Sequence, residues 1–207
     1  MVSRPARRQN KANRKASKNT GAVRIISGMF KGKKLPVMDI DGLRPTTDRV
    51  KETLFNWIMF DVAGANVLDC FAGSGALAFE ALSRGANQLT MLELSNSAAN
   101  QLKQNLASLN VTNDVQCQII TTDSQKYLAN PATQQYDLIF IDPPFRKNLL
   151  TPCCELLSHN NWLAANAFIY VEHEKELTSF TPPENWQLLK SQSAGQSCYH
   201  LYQYQPQ

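Results

Sequence analysis

A chain of 207 residues with 43% hydrophobic content can bury one sizeable core. No apolar run is long enough to cross a bilayer, and the basic N-terminus lacks the apolar stretch of a secretory leader, so neither membrane nor export is expected. The formal charge of +4 conceals an asymmetry: residues 1–34 hold eleven Lys and Arg and no carboxylate, which leaves ten cations against all 17 acids elsewhere, a net of −7. A basic arm on an acidic body suits a polyanionic partner, although a solubilising tail would look the same. Five cysteines, Cys70, Cys117, Cys153, Cys154 and Cys198, make an odd count with no C-x-x-C spacing. That favours reduced thiols in a cytoplasm over a disulfide framework or a zinc site, and no metal is expected.

In chain order, residues 1–20 form a basic arm, too poor in apolar side chains to fold alone. Residues 21–62 read as a small extension. "AVRIISGMFKGKKLPV" predicts a β-ribbon turning at Gly28 and Gly32, and "DRVKETLFNWIMF" a helix from about Asp48, capped by Thr46 or Thr47, with Val50, Leu54, Trp57 and Ile58 at helical spacing. Residues 63–207 change texture. "NVLDCF", "QLTMLEL", "VQCQII", "YDLIFID" and "AFIYVEHE" predict strands, separated by the helices "GALAFEALSRG", "SNSAANQLKQNLASLN", "SQKYLAN" and "LLTPCCELLSHNN". Such alternation predicts an α/β domain with a mostly parallel sheet covered on both faces. "WQLLKSQSAGQSCYHLYQY" adds an antiparallel hairpin about Gly195 at the sheet edge.

In open α/β sheets, ligands sit beyond the carboxyl ends of the strands. The first such end reads "LDCFAGSGALAFEAL", with Gly73-x-Gly75 opening a helix. Glycines there let the backbone approach a ligand. Glu93, ending the next strand twenty residues after Gly73, can accept from ribose hydroxyls. Asp123, past the third strand, can accept from an adenine amine, with Ser124 beside it. These features indicate an adenosine-containing cofactor without separating NAD from S-adenosylmethionine. Asp69 tilts the choice, since a carboxylate before the turn can face an amino-acid ammonium and would sit poorly beside a pyrophosphate. A turn-fixing role for Asp69 competes with that reading.

The fourth strand ends in "IDPPFRK". An exocyclic amine on a nucleobase is a poor nucleophile, because its lone pair is delocalised into the ring. The Asp142 carboxylate and the Pro143 carbonyl can accept its two hydrogens and aim the lone pair at a methyl donor, while the prolines hold the loop extended and rigid. Phe145 then offers a stacking surface for an extruded base. The bland alternative is a strand broken by proline with Asp142 capping the turn.

The stretches "RIISGMFKGKKLP", "RPTTDRVKETLFNW", "DCFAGSGALAFEALSRGA", "DPPFRKNLL" and "WLAANAFIYVEHE" resemble the RsmD family of class I S-adenosylmethionine-dependent methyltransferases, over about Arg24 to Tyr204. The resemblance implies a Rossmann-like methyltransferase sheet. It implies S-adenosyl-L-methionine as donor, S-adenosyl-L-homocysteine as product, and N2 of one 16S rRNA guanine, guanine 966, as acceptor in an assembled small ribosomal subunit. By the same resemblance Asp69, Phe71, Gly73 and Gly75 line the methionine side, Glu93 takes the ribose, Asp123 the adenine, and Asp142, Pro143 and Phe145 the target base. A monomer is expected. The Watson–Crick edge of guanine offers N1–H and N2–H side by side, and one carboxylate can accept both.

Arg24, Lys31, Lys33 and Lys34 on the ribbon and Arg146 and Lys147 beside the base site are candidate RNA contacts. Arg44, Arg49 and Lys51 are candidates for the cofactor carboxylate or for phosphates. Cys153 and Cys154 read as packing, and the three histidines receive no role. The competing readings are an adenine-N6 methyltransferase on RNA or DNA, a non-catalytic RNA-binding protein on this fold, and an NAD-dependent oxidoreductase. The last has no use for Asp142-Pro-Pro-Phe145.

Overall fold

The computed structural model describes residues 21–37, 46–112 and 114–206; the basic arm and Arg44 lie outside them. The elements are β1 (Ala22–Arg24), β2 (Lys34–Pro36), α1 (Asp48–Trp57), β3 (Asn66–Asp69), α2 (Ala76–Ser83), β4 (Gln88–Glu93), α3 (Asn96–Leu109), β5 (Gln116–Thr121), α4 (Ser124–Leu128), β6 (Tyr136–Ile141), α5 (Leu150–His159), β7 (Leu163–Glu174), β8 (Trp186–Ala194) and β9 (Ser197–Tyr204). β1 and β2 pair antiparallel. The other seven strands form one sheet in the order β5-β4-β3-β6-β7-β9-β8, with β9 alone running opposite to the other six. This is the expected Rossmann-like sheet with an antiparallel C-terminal hairpin. From β3 the chain winds outward through β4 and β5, then returns to β6 on the other side of β3. The crevice between β3 and β6 is therefore the point where a doubly wound sheet holds ligands.

Local chemistry explains the elements. The central strands β3 and β6 are buried almost throughout, as apolar strands with both faces covered must be. The Thr47 hydroxyl caps α1 by accepting from Val50 N, and Ser95 caps α3 through Ala98 N. On one face of the sheet α1, α2, α3 and the ribbon bury Leu35, Leu54, Phe55, Phe79 and Leu102 against Val67, Leu138 and Phe140. On the other, α4 and α5 bury Leu128, Cys153, Cys154 and Leu157 against Leu68, Ile139 and Ile169. Burial pushes the thiols of Cys70 and Cys154 well up, which suits inert packing groups.

The N-terminal segment shares this core and is clamped to α2. Ile26 N donates to Glu80 Oε2 at 2.8 Å, Met29 N to the Ser83 carbonyl at 2.7 Å, and Phe30 N to Ser83 Oγ at 2.9 Å. Gly28 has φ +77°, and a Cβ there would lie 1.9 Å from the Ser83 carbonyl oxygen, so the clamp admits only glycine. β7 starts earlier than the sequence pattern predicts. Tyr136 pairs with Leu163 and Leu138 with Phe168, and the surplus residues bulge outward with Asn166 at φ +63°.

Candidate functional site

A cavity of about 830 Å³ opens at the carboxyl ends of β3, β4 and β6, within the range of small-molecule sites. Asp69, Phe71, Gly73, Glu93, Asp123 and Ser124 border one side of it, and Asp142, Pro143, Phe145 and Lys147 another. Gly75 stands behind this wall. It caps α2 at φ +76°, and a Cβ there would meet the Phe79 ring at 2.4 Å and Leu102 at 2.8 Å. Its role is to let α2 start where it does, and the first residues of that helix, Ala76 and Leu77, then border the cavity.

Glu93 holds the glycine turn. Its Oε2 accepts from Gly73 N at 2.8 Å and its Oε1 from Ser95 N at 2.7 Å. Each oxygen keeps a second lone pair for a ligand hydroxyl. Asp123 caps α4 through Lys126 N at 3.0 Å, and Ser124 Oγ donates to the Cys70 carbonyl, tying α4 to the end of β3. Asp69 is 3% exposed, and its Oδ1 accepts from Phe71 N at 3.2 Å. Burial pushes its carboxyl up to about 7; the Phe71 N–H opposes that rise and the neighbouring Glu93 charge adds to it. A buried carboxylate of this kind gains most from an incoming cation. Leu94, 70% exposed beside Glu93, offers an apolar surface on the same wall.

Pro143 is buried, Pro144 exposed, and Asp142 and Phe145 are half-buried at the rim. Arg146 (φ +61°) and Asn148 (φ +53°) both adopt left-handed backbone, and Arg146 N donates to Glu174 Oε1 at 2.8 Å, which fixes the loop to the end of β7. Arg146 does not border the cavity.

The ribbon cations lie elsewhere. The turn bearing Lys31 and Lys33 sits on the C-terminal ends of α2 and α3, through Met29 N to the Ser83 carbonyl and Lys33 Nζ to the Ser108 carbonyl at 3.4 Å. That is the opposite end of the sheet from the cavity. Lys34 is exposed on β2, and Arg24 forms an ion pair with Asp48 at 2.7 Å. Lys51 is corrected outright. It is 1% exposed, donates to the Arg24 carbonyl and pairs with Asp48 at 3.1 Å, so it is spent inside the extension and does not border the cavity. Arg49 is exposed and does not border the cavity.

Sequence reasoning missed several residues of the cavity wall: Thr47, Val50, Glu172, and Gly195 with its neighbours in the β8–β9 turn. Only Glu172 carried a signal, as a carboxylate directly after the apolar run Ala167–Val171.

Asp69, Glu93 and the Gly73 turn fit a group with a cationic amino-acid end and a ribose. When bound, S-adenosylmethionine would supply an electrophilic methyl there. Among the described residues no cluster of His, Cys, Asp and Glu could hold a metal ion, and no helix is long and apolar enough to cross a membrane.

The protein matches the family described as "Conserved hypothetical protein 95" over residues 23–203. It is 52% identical over 184 residues to ribosomal RNA small subunit methyltransferase D of Haemophilus influenzae, covering 88% of this chain and 94% of that protein. The corresponding protein of Escherichia coli K12 is 47% identical over 91% of this chain and 93% of its own length. The solved structure of yhhF from Escherichia coli superposes with a TM-score of 0.81 at 46% identity, over 90% of this chain and 100% of that one. With the fold, the glycine turn and the Asp-Pro-Pro-Phe loop arranged as described, the chain belongs to this family, the RsmD family of methyltransferases.

Proposed function

We propose that the protein transfers the methyl group of S-adenosyl-L-methionine to the exocyclic N2 of a guanine in 16S rRNA of the small ribosomal subunit, guanine 966 by family resemblance. The observation that carries this reading is that one cavity, at the β3–β6 crevice, is bordered both by the Asp69–Gly73 turn with Glu93 and by Asp142-Pro143-Pro144-Phe145. The names of the relatives at 47–52% identity support rRNA as the acceptor.

In this reading Asp69 faces the cofactor ammonium, Glu93 accepts from the ribose hydroxyls, and Asp123 accepts from the adenine amine. The Asp142 carboxylate and the Pro143 carbonyl accept the two N2 hydrogens of the target guanine and turn its lone pair toward the donor. The C–N bond forms as the S–CH3 bond breaks with its electron pair left on sulfur, and the surplus proton on N2 passes to Asp142. Phe145 stacks on the extruded base, and Lys147 and Arg146 meet flanking phosphates. The acceptor is an assembled subunit, the enzyme a monomer, and the compartment the cytoplasm.

Tritiated S-adenosylmethionine offered with unmethylated small subunits, naked 16S rRNA or DNA tests this reading. Nucleoside mass spectrometry should find N2-methylguanosine in the subunits, absent with Asp142→Ala. N6-methyladenine instead would move the assignment to an adenine methyltransferase. Cofactor binding without transfer to any acceptor would leave a binding protein on this fold.

A further inference from the structure

We propose that Glu172 reads the target base: its carboxylate accepts the N1–H of the guanine whose N2 is held by Asp142 and Pro143, and so excludes purines whose N1 is an acceptor. The inference rests on the guanine-N2 reading above and adds to it the group that selects the purine.

The register of the sheet sets up the arrangement. β6 and β7 run parallel with Ile141 opposite Val171. Asp142 follows the first and Glu172 the second, so the two carboxylates leave adjacent strands on the same side of the sheet. Both border the cavity. Glu172 is only 9% exposed. The Tyr170 hydroxyl donates to its Oε2 at 2.8 Å, while Oε1 takes no hydrogen bond from any described residue. Tyr170 is itself wedged against Phe140 and Tyr199, with ring centroids 6.4 Å away in each case, so the carboxylate is held in one orientation.

A carboxylate so enclosed is costly unless its remaining lone pairs are used, and Glu172 borders the cavity, where a ligand donor can reach it. The purine amine would already be occupied by Asp142 and the Pro143 carbonyl. What remains on the same edge of guanine is N1–H, a donor directly beside N2. Guanine thus presents three hydrogens in a row, and the site offers three acceptors: Glu172, Asp142 and the Pro143 carbonyl. Ala194, Gly195 and Ser197 border the cavity on the Glu172 side, and their small side chains leave room for a flat ring. An adenine or 2-aminopurine would turn the N1 lone pair toward Glu172, lone pair against carboxylate. A site built to accept a substrate N–H rejects analogues that lack it.

The test uses small subunits reconstituted with either guanosine or 2-aminopurine riboside at the target position. 2-Aminopurine keeps the N2 amine and makes N1 an acceptor. Wild-type kcat/KM should favour guanine by roughly 100-fold. Glu172→Gln, whose amide can donate to N1, should lower kcat/KM on guanine and shrink the preference to a few-fold, roughly the loss of one such contact. Its calorimetric Kd for S-adenosylmethionine should stay at the wild-type value. An unchanged preference in Glu172→Gln overturns the assignment while the guanine-N2 reading stands. Equal kcat/KM for the two purines in the wild type overturns it without any variant. If the wild type methylates neither purine at N2, the reading of the site falls and this inference with it.

Discussion

Gly73 and Glu93 stand twenty residues apart in the chain, yet the Gly73 backbone N–H donates to Glu93 Oε2 at 2.8 Å. The carboxylate proposed to take the ribose is thus also the clamp on the glycine turn proposed to line the methionine side of the cofactor. Glu93→Ala removes the acceptor of two N–H groups, Gly73 and Ser95. A stranded donor costs about 1–3 kcal/mol when buried, less where water reaches it. The expected result is a loss of cofactor affinity of roughly 10- to 100-fold, with the melting temperature lowered by about 2–4 °C per kcal/mol lost. Calorimetry and thermal melting would check both. A variant that melts early but binds the cofactor normally would show that the clamp matters to the fold alone.

Gly75→Ala separates turn geometry from ligand contact. The new Cβ would sit 2.4 Å from the Phe79 ring at a residue with φ +76°. Backbone strain and overpacking each cost about 1–3 kcal/mol. Denaturant titration should show that loss. Gly75 does not border the cavity, so cofactor affinity in the surviving folded protein should fall less than in Glu93→Ala.

These two glycines show what the sequence made legible. The Gly73-x-Gly75 spacing located the turn, yet nothing in the string distinguished the glycine that borders the cavity from the one that makes room for Phe79. Thr47 and Asp48 announced the start of α1 because capping is a local property. Lys51 was misread because its fate depends on Arg24 and Asp48, one of which lies 27 residues away on another element. Long-range pairing was hidden for the same reason. The hairpin was expected at the edge, but only the structure puts β9 against β7 and sends β8 outward. Glu172 was passed over because a strand reads as packing until its neighbour is known to end in Asp142.

Phe145→Ala removes the proposed stacking surface and little else, since Phe145 is half-buried at the rim. Stacking on an aromatic is worth about 1–3 kcal/mol per base. kcat/KM on the subunit should drop roughly 5- to 150-fold, by that same energy, while cofactor affinity stays as in the wild type. Phe145→Tyr should restore most of the activity. If Phe145→Ala is silent on the subunit, the base lies elsewhere.

Asp69 ties the site to pH. Its carboxyl stands at about 7 in the folded protein against an ordinary value of 3.8. The folded state therefore holds a proton that the unfolded chain has lost. The stability this proton contributes is complete below pH 3.8 and is gone once pH has risen past about 7. Between pH 6 and 8 the cofactor-free protein should lose about 1.4 kcal/mol from this group, and Asp69→Asn should not. Cofactor binding should run the other way. An ammonium facing Asp69 favours the ionised form, so binding below pH 7 must expel the proton. Affinity should rise roughly 5- to 10-fold from pH 6 to 7.5, as expected for one ionisation near 7. In Asp69→Asn the affinity should be weaker and flat across that range. Calorimetry in two buffers of different ionisation enthalpy would count the released proton directly. A wild-type affinity that does not change with pH would mean that Asp69 fixes the turn through Phe71 N and never meets the ammonium.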